Sequence, residues 1–111
     1  MGKIADYFCD KVYLTDDNPR SENPKKIRSE VKKRISKFKI YEIADRSKAI
    51  KKAIFDLKIG DILVVAGKGH ENIQQYKKKK LFSDKKTILN YIKIKNKNLF
   101  NDIKLNILKE I

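Results

Sequence analysis

The sequence predicts an α/β fold, a mostly parallel sheet flanked by helices, from three observations. Amphipathic helical stretches alternate with short apolar runs, which is the pattern of a right-handed parallel α/β sheet. One apolar run, 62–66, is uninterrupted, as in a strand covered on both faces. The chain has 111 residues, of which 41% are hydrophobic, so it can form one domain with a packed core.

The first elements are two helices separated by a strand. A short N-terminal helix over about 2–10 is indicated by an apolar stripe formed by Ile4, Ala5 and Phe8. A strand over 12–15 follows. Asn23 can cap the second helix, and Pro24 suits its first turn because no N–H is needed there. The apolar face of that helix consists of Ile27, Val31 and Ile35.

The alternation continues through the rest of the chain. A second strand is predicted around 40–43, and Asp45 can cap the next helix, whose apolar positions are Ile50, Ile54 and Leu57. The third strand, 62–66, comes after that helix. A hairpin is predicted over 73–82, and Asp84 is expected to cap a last helix that carries Ile88, Leu89 and Ile92.

The expected organisation is one domain over 1–94 and a helical tail over 95–111 that is rich in lysine and asparagine. Because the pattern opens on a helix, the first strand of the sheet is expected to be lacking. No run approaches the roughly 18 apolar residues of a membrane span. A single cysteine, Cys9, fits a reducing compartment, and we expect a cytoplasmic protein.

The net charge of +14 raises the alternative of a small basic nucleic-acid-binding α/β protein. The basic residues are mostly lysine, spread over helix faces and accompanied by much isoleucine and asparagine, as an AT-biased genome would supply. The dense run 77–80 fits a solvated turn. We therefore do not expect a nucleic-acid partner.

Two polar stretches follow predicted strands and carry the chemistry of the chain: Asp17-Asn18-Pro19-Arg20 after the first strand and 67–71 after the third. In parallel sheets, ligands bind in the crevice outside the carboxyl ends of the strands. The fork of Arg20 matches a carboxylate, although pairing with Glu22 on the surface is an equal alternative. Asn18 is held extended by Pro19 and can donate to a ligand oxygen or shape the turn, whereas Asp17 is expected mainly to fix the loop.

In the second stretch, Gly67 and Gly69 permit close approach of a ligand to the backbone. Glu71 can bind an ammonium group or cap the structure that follows. His70 has no nucleophile or metal-ligand partner at suitable spacing, so a structural role is expected. Neither a phosphate loop nor a metal cluster is indicated. The residues alone therefore predict a crevice for a small zwitterion.

Four segments resemble the C-terminal domain of the Mur ligases that add meso-diaminopimelate. They are Met1-Gly2-Lys3-Ile4-Ala5, the stretch 15–22, Asp45-Arg46 with Ala49-Ile50, and the stretch 66–71. The resemblance covers about residues 1–93 and implies a Rossmann-like sheet. It also implies that the chain is the amino-acid recognition portion of an ATP-dependent peptidoglycan-precursor ligase.

The resemblance implies a role for each residue of the two stretches. Asp17-Asn18-Pro19-Arg20 would form the meso-diaminopimelate motif, in which Asn18 and Arg20 hold the distal carboxylate. The backbone of Gly67 and the carboxylate of Glu71 would complete recognition of the same centre, with Glu71 facing its ammonium. Lysine lacks that carboxylate, and such missing polar partners discriminate by factors on the order of 10⁴–10⁵.

The resemblance also implies what this chain does not supply. No catalytic residue, metal site or cofactor is expected in it; ATP and Mg²⁺ belong to the full-length enzyme, and the UDP-N-acetylmuramoyl-dipeptide would be bound through domains absent here. The isolated chain is expected to be inactive, as a fragment, half of a split enzyme or a pseudogene remnant.

Overall fold

The computed structural model describes residues 2–17, 21–67, 73–75 and 79–110, with the side chains of 73–75, 79–81 and 102–110 excluded. The helices are α1 (Gly2–Phe8), α2 (Pro24–Lys32), α3 (Arg46–Asp56) and α4 (Asp84–Glu110), with one 3₁₀ turn at Lys37–Lys39. The strands are β1 (Val12–Leu14), β2 (Ile40–Glu42), β3 (Ile73–Gln75) and β4 (Lys79–Leu81).

The strands form two pairs. β1 and β2 are parallel, with Val12 opposite Ile40 and Leu14 opposite Glu42, and α2 lies in the connection between them. β3 and β4 are antiparallel, which confirms the predicted hairpin. A parallel pair joined through a helix and flanked by helices confirms the predicted α/β class.

Side-chain caps begin two of the helices as predicted. Asn23 Oδ1 accepts hydrogen bonds from the backbone N–H groups of Lys25 at 3.0 Å and Lys26 at 3.4 Å. Asp45 Oδ1 accepts from the N–H of Lys48 at 3.0 Å. Each cap satisfies backbone donors that have no partner within the first turn of the helix.

The prediction that Asp84 caps the last helix is wrong. Asp84 is the first residue of α4, and Ser83 Oγ accepts from the N–H of Lys86 at 3.3 Å instead. The Ser83 carbonyl also accepts from the N–H of Thr87 at 3.1 Å. Serine and aspartate are both good caps, so composition alone did not distinguish the two neighbouring positions.

The core lies around α3, which packs against α4 on one side and β1 on the other. The buried apolar side chains of the described residues are Ile35, Ala49, Ile50, Ala53 and Ile54. Four of these lie along one face of α3 and include the predicted Ile50 and Ile54, whereas the predicted Leu57 follows the helix and is half-buried. The predicted face of α2 is only half-buried at Ile27 and Val31, and Ile35 is buried beyond the end of that helix.

Residues 62–66 do not form the predicted strand covered on both faces. The segment has no regular secondary structure and pairs with no strand of the described chain, and Ile62 and Val64 are 88% and 76% exposed. Leu63 and Val65 are half-buried, so one face meets the domain and the other is open. An apolar run shows that a segment is hydrophobic, but a strand also needs backbone hydrogen bonds to a neighbouring strand.

Helix α4 has 27 residues and is therefore about 40 Å long at ~1.5 Å per residue. It continues through Lys95 without a break, and the predicted boundary between 94 and 95 stays a prediction. A search of the described residues finds no helix with the length and apolar character needed to cross a bilayer.

Candidate functional site

The two polar stretches meet in the structure. Gly67 follows the segment 61–66, and its α-carbon faces the side chain of Asp17, which follows β1. A Cβ added to Gly67 would lie 3.0 Å from Asp17 Oδ2 and 3.3 Å from its Cγ. The chain after β1 and the end of the segment 61–66 therefore lie side by side, as predicted for a shared crevice.

The backbone conformation of Gly67 allows this approach. Its φ of 108° lies in the left-handed region, which side chains rarely adopt. A residue with a side chain here would meet both a strained backbone and the carboxylate of Asp17. The structure of the loops themselves therefore favours glycine at this position.

The first loop starts from a fixed base at the carboxyl ends of β1 and β2. The N–H of Ile43 donates to the Leu14 carbonyl at 2.9 Å, and the N–H of Asp16 donates to the Ala44 carbonyl at 3.3 Å. Thr15 Oγ1 donates to the same Ala44 carbonyl at 3.0 Å. These bonds extend the parallel pairing beyond β2 and fix the chain up to Asp16.

Arg46, the first residue of α3, joins both loops to the start of α4. Its guanidinium pairs with Asp84 through two hydrogen bonds, Nε to Oδ1 and Nη2 to Oδ2, each 2.7 Å long. Nη1 donates to the Asp16 carbonyl at 3.2 Å, and Nη2 donates to the Ala66 carbonyl at 3.0 Å. Both side chains of the pair are almost fully buried, at 3% and 5% exposure. One cation therefore contacts three separate segments of the chain.

A second arginine supports the first loop from α2. Arg28 Nη1 donates to Asp16 Oδ1, and its Nε donates to Glu42 Oε2 at 3.1 Å. Lys32 Nζ donates to the other oxygen of Glu42 at 3.2 Å. The hydrogen bond from Arg28, followed by that from Lys32, holds the pKa of Glu42 below its ordinary value. This network ties α2 to β2 and to the side chain of Asp16.

Of the predicted site residues, the structure describes Asp17 and Gly67 and brings them together. Asn18, Pro19, Arg20 and Glu71 lie outside the described residues, as do Lys68, Gly69 and His70. The ligand-binding roles of all these residues stay predictions. The contact between Asp17 and Gly67 does show that the two stretches adjoin one another.

Sequence reasoning missed the importance of Arg46 and Asp84. The sequence indicates Arg46 only as part of the segment Asp45-Arg46, and it predicts Asp84 only as a helix cap. A signal was present, since only four of the 28 basic residues are arginines. In so lysine-rich a chain, an arginine is a candidate for a position that uses a planar fork with several donors, as Arg28 and Arg46 do.

Among the residues that the structure describes, no three His, Cys, Asp or Glu side chains are grouped so that they could hold a metal ion. Two described acidic side chains near the loops have basic partners. Asp16 pairs with Arg28, and Asp84 pairs with Arg46.

Comparison with known proteins gives a consistent result. The family model described as "Mur ligase, glutamate ligase domain" matches residues 1–69. A UDP-N-acetylmuramoyl-L-alanyl-D-glutamate--2,6-diaminopimelate ligase of Rickettsia typhi is 50% identical over 93 residues, which are 83% of this chain and 19% of that protein. The ligase of the same name from Chlorobaculum tepidum is 47% identical over 89 residues, or 79% of this chain and 18% of the relative.

A solved structure of a ligase with that name superposes with a TM-score of 0.73 at 38% identity. The match covers 79% of this chain and 19% of the solved chain. The present chain thus spans about a fifth of the length of the curated relatives it matches. Since the family model covers more than half of its residues, the chain belongs to the Mur ligase family.

Proposed function

We propose that this chain forms the meso-diaminopimelate recognition portion of an ATP-dependent peptidoglycan-precursor ligase. The observation that carries the proposal is the contact between the two stretches, in which Gly67 lies against Asp17. The names of the relatives supply the amino acid, since each is a 2,6-diaminopimelate ligase. A family match without adjoining loops would leave the two motifs without a common ligand.

The proposed division of roles follows the chemistry of the side chains. Arg20 and Asn18 bind the distal carboxylate, because a guanidinium fork and an amide both donate to carboxylate oxygens. The Gly67 backbone and Glu71 bind the amino group at the same carbon centre. Asp17 and Pro19 shape the first loop. Because Asp17 adjoins Gly67, it sets the distance between the ligand-binding residues of the first stretch and those of the second.

ATP, Mg²⁺ and the UDP-linked dipeptide belong in this proposal to the larger part of the relatives that this chain does not span. The 111 residues contain no Gly-Lys-Ser/Thr phosphate loop. We therefore expect the isolated chain to form no amide bond by itself. A cytoplasmic location is proposed with it, since the free Cys9 and a need for ATP both fit a reducing, nucleotide-supplied compartment.

The test is a titration of the ¹⁵N-labelled chain with meso-diaminopimelate, with L-lysine as the matched ligand lacking the distal carboxylate. We expect amide shifts at 15–17 and 66–67 with meso-diaminopimelate and much smaller ones with lysine. Arg20→Ala should abolish the difference between the two ligands. Arg34→Ala, which removes an exposed guanidinium in the turn after α2, should leave it intact.

A second arm supplies the rest of a relative in trans. The Rickettsia typhi ligase, shortened by the segment that aligns with this chain, would be mixed with the chain and titrated again. Binding of meso-diaminopimelate in either arm, with loss in Arg20→Ala, supports the proposal. Equal binding of lysine, or no binding of meso-diaminopimelate in both arms, overturns it.

A further inference from the structure

We infer that Arg46 is the positioning residue of the site: it holds the two loops at the distance that a shared ligand requires. The inference starts from the segments that its guanidinium contacts. One donor reaches the carbonyl of Asp16, directly before the first polar stretch, and another reaches the carbonyl of Ala66, directly before the second. Both loops therefore begin at an oxygen bound to the same planar group.

The direction of these two bonds is fixed by the remaining donors. Nε and Nη2 pair with the two oxygens of Asp84 at 2.7 Å, so the plane of the guanidinium cannot rotate without breaking both bonds. Asp84 is itself held at the first turn of α4, next to its Ser83 cap. Arg46 sits at the first turn of α3, after its Asp45 cap. The positions of the Asp16 and Ala66 carbonyls are thus fixed relative to α3 and α4, the two helices that pack against each other in the core.

Burial makes this arrangement specific for arginine. The Arg46 and Asp84 side chains are 3% and 5% exposed, so water cannot replace a lost donor without rearrangement of the core. Lysine carries the same charge but lacks the planar fork with five N–H donors. With three donors on a single nitrogen, it could not keep all four of the bonds that Arg46 makes to Asp84 and to the two carbonyls.

A buried ion pair could also serve stability alone, and the two roles can be separated. Removing one partner of a buried pair strands the other charge, whereas replacing both partners by apolar side chains is often tolerated. The double variant Arg46→Met/Asp84→Leu should keep α3 packed on α4. It would nevertheless lack the two bonds that Arg46 donates to the carbonyls of Asp16 and Ala66.

The experiment measures the nuclear Overhauser effect between the α-protons of Gly67 and the β-protons of Asp17, two groups in contact in the structure. We expect the effect in the wild-type chain and its loss in Arg46→Lys and in the folded double variant. Ser47→Ala is the matched control. It removes the 3.1 Å hydrogen bond between Ser47 Oγ on α3 and Tyr91 Oη on α4, in which either hydroxyl can donate, and it touches neither loop.

A second readout rests on the proposed function and uses meso-diaminopimelate as the probe. Apparent affinity falls in proportion to the fraction of chains whose loops are in place, so a loss of about tenfold or more is expected in both Arg46 variants. A folded double variant that keeps the Overhauser effect overturns the inference. Absence of meso-diaminopimelate binding in the wild-type chain counts against the proposed function only, because the Overhauser measurement needs no ligand.

Discussion

Gly67 carries two constraints that are usually separate. Its φ of 108° favours glycine by backbone sterics, and its α-carbon lies close enough to Asp17 for a Cβ to meet Oδ2 at 3.0 Å. Gly60 carries only the first constraint, since its φ is 90° and an added Cβ would meet nothing within 4 Å. Comparison of Gly60 with Gly67 therefore separates the free-energy cost of the backbone conformation from that of the contact between the loops.

The first prediction uses that pair. Gly60→Ala should lower the free energy of unfolding by about 1 kcal/mol, the usual cost of a left-handed conformation for a residue with a Cβ. Gly67→Ala should lower it further, because Asp17 must also shift. Urea titration followed by circular dichroism measures both values. Equal losses of unfolding free energy in the two variants would show that moving Asp17 aside has no free-energy cost.

The second prediction concerns pH and the hydrogen bond from Tyr13 on β1 to Asp56 on α3. Tyr13 Oη donates to Asp56 Oδ2 at 2.6 Å. Burial, followed by this bond, raises the pKa of Tyr13 above its ordinary value. The bond from Tyr13, followed by one from Lys52, lowers the pKa of Asp56. Because the folded Asp56 pKa lies below its ordinary 3.8, the stabilisation is complete above that pH and is lost as the pH falls through the folded value.

Tyr13→Phe should therefore cost about 1 kcal/mol at neutral pH, the usual value for one hydrogen bond. The difference from the wild-type chain should shrink as the pH is lowered from about 6 to about 2. Tyr41→Phe keeps the ring that stacks on Tyr13, with centroids 5.2 Å apart, and should follow the wild-type profile. If the stability difference between Tyr13→Phe and the wild-type chain does not change with pH, the bond from Tyr13 does not lower the pKa of Asp56.

At the scale of elements, the third prediction concerns the start of α2. Asn23→Ala removes the acceptor of two backbone N–H groups and should cost about 1 kcal/mol, with fraying of the helix. Ser36→Ala is the control, because Ser36 precedes the 3₁₀ turn without a capping bond from its side chain. Urea titration compares the free energies of unfolding of the two variants. Equal losses of stability would contradict the capping role of Asn23.

The elements that sequence predicted best depend on neighbours along the chain. The Asn23 and Asp45 caps, the buried face of α3 and the hairpin of β3 and β4 all follow from local spacing. Predictions failed where a distant partner decides. The run 62–66 has no paired neighbour in the described structure, and Asp84 is engaged by Arg46 from another helix. The adjoining of the two loops was predictable only through the fold class and the family resemblance.

On the scale of the whole molecule, α4 divides into two parts. The first, up to Lys95, contacts the body of the domain formed by residues 2–67, and in the part that follows the described Leu99 and Phe100 are exposed. The described polar contacts from α4 to the body come from Asp84, Tyr91 and Lys95. Lys95 Nζ donates to the carbonyls of Ile54 and Leu57 at 2.7 Å each, where α3 ends. Leu99 and Phe100 are already 58% and 66% exposed.

The fourth prediction follows from that division. A chain ending at Phe100 should lose helical circular dichroism signal but keep its free energy of unfolding within about 0.5 kcal/mol. Lys95→Met, which removes a charged donor from the end of α3, should cost about 1–2 kcal/mol. Thermal and urea unfolding compare the two. A large loss on truncation would show that residues 101–111 contribute to the core.

The contacts of Arg46 also have a consequence for the order of folding. Its partners lie 30, 20 and 38 positions away along the chain, at Asp16, Ala66 and Asp84. Helices and the hairpin form between near neighbours, whereas these bonds require long stretches of chain to close first. The edge at which the two loops meet is therefore assembled late in refolding. Helical signal should return before the Asp17–Gly67 contact does, and in a nascent chain the Arg46–Asp84 pair that orients the guanidinium can form only after residue 84 has been made.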